Sequence, residues 1–298
     1  MKNLSLSRRI FLLFNCVFLT VIALVCLLPF INVLAISFSS KTAVSAGQVA
    51  FLPVDFNTSA YTFITRSSAF VTALGVSIRR AALGVAVNLL LIVITAYPLS
   101  KYTTQFRGRN IIAWYFVITI LFNGGLIPSY LMVRYTGLMD SLLALIIPGA
   151  LPVFSMLVVM NYFRGLPPEL EEAAYIDGAG HIQSLLRVVL PISAPTLATV
   201  TLFSFVGHWN SWFDGLIYMN SPAHYPLQSY LQTVVVNPEA FFKNTTNINA
   251  DLAVYLELVS ARTTNAAQLF LAVVPILLVY PFLQRYFTAG LVMGSVKG

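Results

Sequence analysis

Residues 10–40 read IFLLFNCVFLTVIALVCLLPFINVLAISFSS and contain no Asp, Glu, Lys, Arg or His. A helix of about 20 apolar residues already crosses the hydrocarbon core of a bilayer. The whole chain of 298 residues is 58% hydrophobic and 9% charged, whereas an ordinary globular domain is roughly 25% charged. Since no single soluble core could bury that much apolar surface, the sequence predicts a membrane protein.

The amino-terminal segment imitates a secretory leader, because Lys2, Arg8 and Arg9 precede an apolar run. That run, from Phe11 to Leu28, is longer than the roughly 7–15 apolar residues of a signal peptide. We therefore predict an uncleaved membrane anchor, although the sequence VLA at 33–35 could serve as a weak cleavage site.

Hydropathy predicts an all-α, polytopic membrane protein with six transmembrane helices, forming a single transmembrane domain over 1–298. The predicted spans are 10–37, 81–100, 111–133, 141–160, 196–217 and 266–287, with a cytoplasmic loop at 161–191 and an external loop at 221–265. Basic residues mark the cytoplasmic side of a bilayer. The basic residues that lie close to span ends place both termini in the cytoplasm: Lys2, Arg8, Arg9, Lys101, Arg107 and Arg109.

Several classes of function are disfavoured by composition. The formal net charge is +7, but the basic residues form no stripe and accompany no nucleic-acid motif. Cys16 and Cys26 both fall in the first apolar segment and are predicted to be packed thiols. His181, His208 and His224 are far apart in sequence, so we predict no metal site.

Residues 166–191 read LPPELEEAAYIDGAGHIQSLLRVVLP and predict a helix, a tight turn and a second helix. Pro168 suits a first helical turn, and the acidic residues that follow complement the positive end of the helix dipole. Asp177 and Gly178 predict the helix stop, since glycine accepts the backbone angles of a turn. We expect the second helix to end at Pro191 and to be anchored by Leu185, Leu186 and Val189.

The strings Glu172-Ala173-Ala174, Asp177-Gly178-Ala179 and Val188-Val189-Leu190-Pro191 resemble the EAA loop of ABC importer permeases, with Val188 where isoleucine is commonest. The resemblance implies the type I ABC importer permease fold. It also implies that the loop docks in a groove of an ATPase subunit and couples ATP hydrolysis to transport. The residues to which it assigns this role are Glu172, Ala173, Ala174, Asp177, Gly178 and Ala179. A surface helix without a partner is the alternative.

Weaker similarities extend along most of the chain toward the maltose-type (MalG-like) carbohydrate permeases. They include AYPLS at 96–100, and LFNGGLIP at 121–128 is similar to the polysaccharide-fragment subgroup. The resemblance implies an oligosaccharide substrate, a second homologous permease, a dimer of ABC ATPase subunits and an extracytoplasmic substrate-binding protein. ATP and Mg would bind the partner ATPase and no cofactor would bind this chain. The tail 288–298 resembles tails that contact the ATPase.

The sequence lacks the Gly-x-x-x-x-Gly-Lys-Ser/Thr phosphate-binding motif, so ATP must bind another chain. The sequence also contains no catalytic motif. The main alternative function is an ion-coupled secondary transporter of small polar solutes. Such proteins place ionisable residues inside the helical bundle, and Asp214 is the one acidic residue in the predicted spans. A channel is a third alternative, without support from any filter-like motif.

A sugar path needs aromatic faces and hydrogen-bonding groups. The predicted path residues are Phe205, Trp209, Asn210, Trp212, Phe213 and, in the third span, Asn123. We expect Trp209 to share a helical face with Trp212 or Phe213, although these rings could equally form an interfacial belt. Asn123 and Asn88 could instead join helices.

External arginines offer a further contact for an acidic sugar, a docking receptor or lipid phosphates. They are Arg66, Arg79, Arg80 and Arg134. Arg79 and Arg80 begin the second predicted span and are expected to reach the outer interface.

Overall fold

The computed structural model describes residues 6–236 and 258–294, and side chains for 7–236 and 258–281. Over these ranges the chain is helical, without strands. The predicted external loop 221–265 and tail 288–298 both extend outside the described residues. Two compact units are present: one comprises Met1–Val71 and Leu231–Val274, and the other Thr72–Tyr230 and Pro275–Gly298.

The described helices are numbered here in chain order. Their bounds are α1 Leu6–Ser37, α2 Lys41–Ser45, α3 Ser59–Arg66, α4 Ser68–Ser100, α5 Arg109–Leu121, α6 Leu126–Tyr135, α7 Val153–Arg164, α8 Glu169–Ile176, α9 His181–Ile192, α10 Ala194–Asn210, α11 Phe213–Tyr218, α12 Leu227–Val236 and α13 Ala261–Gly294. Two 3₁₀ turns, Leu142–Leu145 and Ile147–Gly149, precede α7.

Among the described residues, three helices are long and apolar enough to cross a bilayer alone: Ser7–Ser37, Ser68–Ser100 and Ala261–Pro281. Three further candidates are bent pairs, α5 with α6 at 117°, the 3₁₀ turns with α7 at 49°, and α9 with α10 at 82°. The multi-pass helical architecture is therefore confirmed. Six spans result if each bent pair crosses as one unit.

Helix α4 is longer than the predicted span 81–100, because it begins at Ser68. At 1.5 Å per residue its 33 residues extend about 50 Å, well beyond a hydrocarbon core of about 30 Å. Residues 68–80, which lie before the predicted span, thus form the amino-terminal part of a continuous helix.

The predicted third span, 111–133, is wrong as a continuous helix, because α5 ends at Leu121 and α6 begins at Leu126. Gly125 adopts a φ of +88° at this break, a conformation that glycine accepts without steric cost. The side chain of Asn123 accepts a hydrogen bond from Gly125 N at 2.9 Å. Asn123 therefore stabilises a local turn.

The predicted fifth span, 196–217, is also interrupted. Helix α10 ends at Asn210 and α11 starts at Phe213. Asp214 Oδ1 accepts hydrogen bonds from Ser211 Oγ at 2.8 Å and from its neighbour Gly215 N at 2.9 Å. These bonds satisfy polar groups that the break would otherwise leave unpaired.

Arg80 does not reach an interface as expected, since it is 2% exposed and forms an ion pair with Asp214. Its guanidinium donates to Asp214 Oδ1 at 3.1 Å, to Ser211 O at 3.2 Å and to Leu145 O at 3.4 Å. Arg80 and Asp214 therefore connect α4 with the α10–α11 break and a 3₁₀ turn.

The core of the second unit lies where α4, α7, α9 and α10 meet. Its largest fully buried members include Ile92 and Leu99 on α4, Met156 on α7 and Val200 on α10. Tyr97 and Phe163 pack edge to face, with ring centroids 6.4 Å apart. The loop 161–191 is thus built directly on a packed core.

Asp214→Asn should lower the free energy of unfolding by about 3–5 kcal/mol, because it leaves the buried Arg80 charge without its partner. The loss is measured by denaturant unfolding of the purified chain in detergent. Arg79→Met is the matched control, since Arg79 is exposed and bonds only to Gly75 O of its own helix among the contacts described. Equal losses in the two variants would contradict this account of Arg80.

Candidate functional site

The loop 161–191 forms two helices joined by a tight turn. Helix α8 follows Pro168 and ends at Ile176. Gly178 has a φ of +80°, and its N–H donates to Tyr175 O at 3.0 Å, while Ala179 N donates to Ala174 O at 2.9 Å. This is a glycine-terminated helix end. A Cβ on Gly178 would meet open space, so glycine is needed for its backbone angle.

Helix α8 and the turn after it expose most of the residues that are predicted to couple ATP hydrolysis to transport. Glu172, Ala173, Asp177 and Gly178 are exposed, whereas Ala174 and Ala179 are half-buried. Ile176 is 87% exposed on the same part of the loop. An exposed isoleucine beside small residues and two carboxylates is a surface suited to a partner protein.

The second loop helix, α9, is irregular. Gly180 N donates to the Gln183 side chain at 3.2 Å at its start, and residues Leu185–Val189 form a π-helical turn. Leu185 and Val189 are buried as expected, but the predicted anchor Leu186 is 57% exposed. The helix continues past Pro191 to Ile192 and then bends by 82° into α10.

The carboxyl end of α4 lies at the base of the loop, where two arginines bind its last carbonyl groups. Arg109 Nη1 donates to Lys101 O at 2.8 Å, and Arg164 Nη2 donates to Leu99 O at 3.4 Å. Cations stabilise the negative end of a helix dipole. Arg109, which we interpreted only as a topology signal, therefore also caps α4.

The contacts by which Glu171, Tyr175 and Lys101 connect the loop with α4 were not predicted from the sequence. Glu171 and Tyr175 are four residues apart and share a helical face, which the sequence could have indicated. Lys101 forms an ion pair with Glu171 from 70 positions away. No local pattern identifies a partner at that separation.

The predicted sugar-path residues fall into two separate groups. Trp209 is 2% exposed and stacks on Phe205, with ring centroids 5.9 Å apart. Trp212 and Phe213 lie after the end of α10 and pack edge to face at 5.5 Å. The expectation that Trp209 shares a helical face with Trp212 or Phe213 is therefore wrong.

Phe205 and Trp209 line a cavity of about 510 Å³ between α4, α10 and α13. Its other lining residues are apolar except Thr201. Such a lining offers few partners for sugar hydroxyls, which need hydrogen bonds. Asn210, Trp212 and Phe213 are exposed. They stay predicted sugar contacts.

A polar cluster joins α4 to α10 deeper in the bundle. Asn88 and His208 are 4% and 9% exposed. With the Asn88 amide oriented so that both polar atoms are satisfied, it accepts from His208 Nε2 at 3.3 Å and donates to Gly84 O at 3.1 Å. A side chain at Gly84 would collide with His208, so this glycine permits the close approach. Asn88 thus acts between helices, one of its two predicted roles.

No family model matches the chain. Curated relatives do match over nearly its whole length. Protein LplC of Bacillus subtilis (strain 168) is 37% identical over 98% of this chain and 96% of its own length. The polygalacturonan/rhamnogalacturonan transport system permease protein YtcP of the same organism is 34% identical over 98% of this chain and 100% of its own.

A solved structure shares the fold. It is a crystal structure of a bacterial ABC transporter involved in the import of the acidic polysaccharide alginate. The matching chain has a TM-score of 0.85 and 35% identity, covering 96% of this chain and 100% of that one. The present chain therefore belongs to the permease subunits of ABC sugar importers, as the EAA-like loop indicated, and it is a transport subunit.

Trp209→Ala should destabilise the protein by about 3–5 kcal/mol, because it leaves a cavity in packed structure. Trp212→Ala should cost less than about 1 kcal/mol, since Trp212 is 42% exposed. Unfolding of both variants in detergent measures the difference. A larger loss in Trp212→Ala than in Trp209→Ala would contradict the assignment of Trp209 to packing.

Proposed function

We propose that this chain is one permease subunit of an ATP-driven importer that moves acidic, uronate-type oligosaccharides across the bacterial cytoplasmic membrane. The loop 161–191 and both termini face the cytoplasm in this proposal. Two ABC ATPase subunits bind ATP and Mg, a second homologous permease completes the pore, and an extracytoplasmic binding protein delivers the sugar. This chain binds no cofactor and catalyses no reaction.

The exposed face of α8 is the observation that carries the proposal. It combines Glu172 and Ala173 with Asp177 and Gly178 at the turn, and the loop stands on the core formed by α4, α7, α9 and α10. A protruding element with an exposed tip and a packed base can transmit a push from a partner into the bundle. Rigid movement of packed helices then alternates access to the two sides.

The substrate class is supported by the relatives. The name of one relative specifies polygalacturonan and rhamnogalacturonan, and the alginate transporter is described as importing an acidic polysaccharide. Exposed Arg79 and Arg134 supply positive charge suited to carboxylates. Arg80 is excluded from this role because it already pairs with Asp214.

The ion-coupled alternative needs an ionisable group available to a proton or cation inside the bundle. Asp214 was the candidate, and it is bound by Arg80, Ser211 and Gly215. Its charge is therefore used to hold helices together. This pairing occupies the residue on which the ion-coupled alternative relied.

Gly178→Leu should separate ATP hydrolysis from uptake, because the turn requires a positive φ that leucine rarely adopts. We expect the variant to insert in the membrane and uptake per ATP hydrolysed to fall about tenfold or more. Uptake and phosphate release are measured together in proteoliposomes containing the complete transporter. Gly180→Leu is the matched control, since Gly180 also faces open space but has an ordinary backbone angle. Normal coupling in Gly178→Leu would contradict the loop assignment.

Substrate charge can be tested with one oligosaccharide in two forms. Oligogalacturonate should stimulate the ATPase activity of the complete transporter with its binding protein, and the carboxyl-reduced oligosaccharide of equal length should not. The reduced form keeps the ring size and linkages but lacks the charges. Equal stimulation by both forms would rule out selection for an acidic sugar.

A further inference from the structure

The two loop helices and the end of α4 are joined by a chain of polar contacts. Glu171 Oε2 forms an ion pair with Lys101 Nζ and accepts from Tyr175 Oη at 3.1 Å. Tyr175 Oη also lies 2.9 Å from His181 Nδ1 on α9. Tyr97 Oη is at a longer 3.5 Å from Glu171 Oε2.

The ion pair is largely shielded from solvent, in contrast to the other carboxylates of α8. The side chains of Lys101 and Glu171 are 15% and 20% exposed, whereas Glu169 and Glu172 are exposed. Lys101 Nζ also lies 4.0 Å from the centroid of the Tyr97 ring, a cation–π contact. The helix dipole alone would favour all the acidic residues in the first turn of α8 equally. The shielded ion pair therefore gives Glu171 a more specific role than Glu169 and Glu172.

The single hydroxyl proton of Tyr175 determines which atoms donate in these hydrogen bonds. Burial, followed by Tyr97 and Glu171, raises the pKa of Tyr175, so its phenol stays protonated at neutral pH. A single hydroxyl proton can be donated to Glu171 or to His181, but not to both. When Tyr175 donates to Glu171, His181 must donate from Nδ1 to the phenol oxygen. The polar chain then runs from α9 through α8 to the end of α4.

This contact involves the half-buried residues of α8, whereas the proposed partner surface consists of its exposed residues. Glu171 and Tyr175 face the bundle, and Glu172 and Ala173 are exposed. Further along α4, Asn88 contacts His208 of α10, and Arg80 contacts Asp214 of α11. A displacement of α8 that is transferred to Lys101 therefore reaches both of these contacts through one continuous helix.

We propose that Lys101, Glu171 and Tyr175 form a positioning strut that makes α4 follow the loop, and this rests on the proposed coupling function of the loop. The strut touches neither sugar nor nucleotide. It acts by holding α8 against α4 while the partner surface is pushed. Its loss uncouples the two helices even when ATP hydrolysis continues.

The test is a charge-exchange cycle in the complete transporter. Lys101→Glu and Glu171→Lys each place like charges together and should lower sugar moved per ATP hydrolysed by about tenfold. The double exchange, Lys101→Glu with Glu171→Lys, restores opposite charges. It should bring the sugar moved per ATP hydrolysed to within about threefold of the value for the unmodified transporter. Glu169→Lys, on the same helical turn but exposed, should leave the ratio unchanged.

The ratio distinguishes a positioning strut from a structural contact, because poor assembly lowers uptake and hydrolysis equally. If single reversals fail to assemble, Lys101→Met and Glu171→Gln remove the ion pair without like-charge repulsion, and both should still lower the ratio. Unchanged ratios in assembled single variants, or a double exchange that couples no better than they do, would overturn the strut. If Gly178→Leu uncouples transport while these variants do not, the strut fails and the loop function stands.

Discussion

Helix α4 and the residue that follows it carry charged and amide groups at three positions along an apolar bundle, and the cost of burying these groups unpaired constrains how the neighbouring helices pack. Arg80 is paired with Asp214, Asn88 with His208, and Lys101 with Glu171. Arg80 and Lys101 are separated by about 30 Å along the helix, close to the thickness of a hydrocarbon core. The two ion pairs thus lie about one hydrocarbon-core thickness apart along one helix.

The helices around α4 are broken where it is continuous. The α5–α6 pair bends by 117° and the α9–α10 pair by 82°, and the α10–α11 break lies where Arg80 and Asp214 meet. Discontinuous helices leave backbone groups that only protein neighbours can satisfy in a membrane. A continuous α4 with bent neighbours suits the proposed mechanism, in which a push on the loop moves packed helices.

The sequence predicted those features that depend on local composition or backbone geometry. Apolar runs identified the membrane segments, and the glycine at position 178 identified the loop turn. Its φ of +80° is a backbone angle that most other residues rarely adopt. The ion pairs of Arg80 and Lys101 were missed because their partners lie 134 and 70 positions away. Hydropathy also could not detect the break after Leu121, where Asn123 and Gly125 are embedded in apolar sequence. Trp209 and Trp212 were grouped wrongly because spacing cannot reveal that α10 ends at Asn210.

The central claim is that the exposed face of α8 lies in the cytoplasm against an ATPase. Ala173→Cys, in a chain with Cys16 and Cys26 replaced, can be labelled with a membrane-impermeant maleimide in cells that express the permease alone or the complete transporter. The account predicts labelling only after permeabilisation, with protection when the ATPase subunits are present. Labelling of intact cells from outside would contradict it.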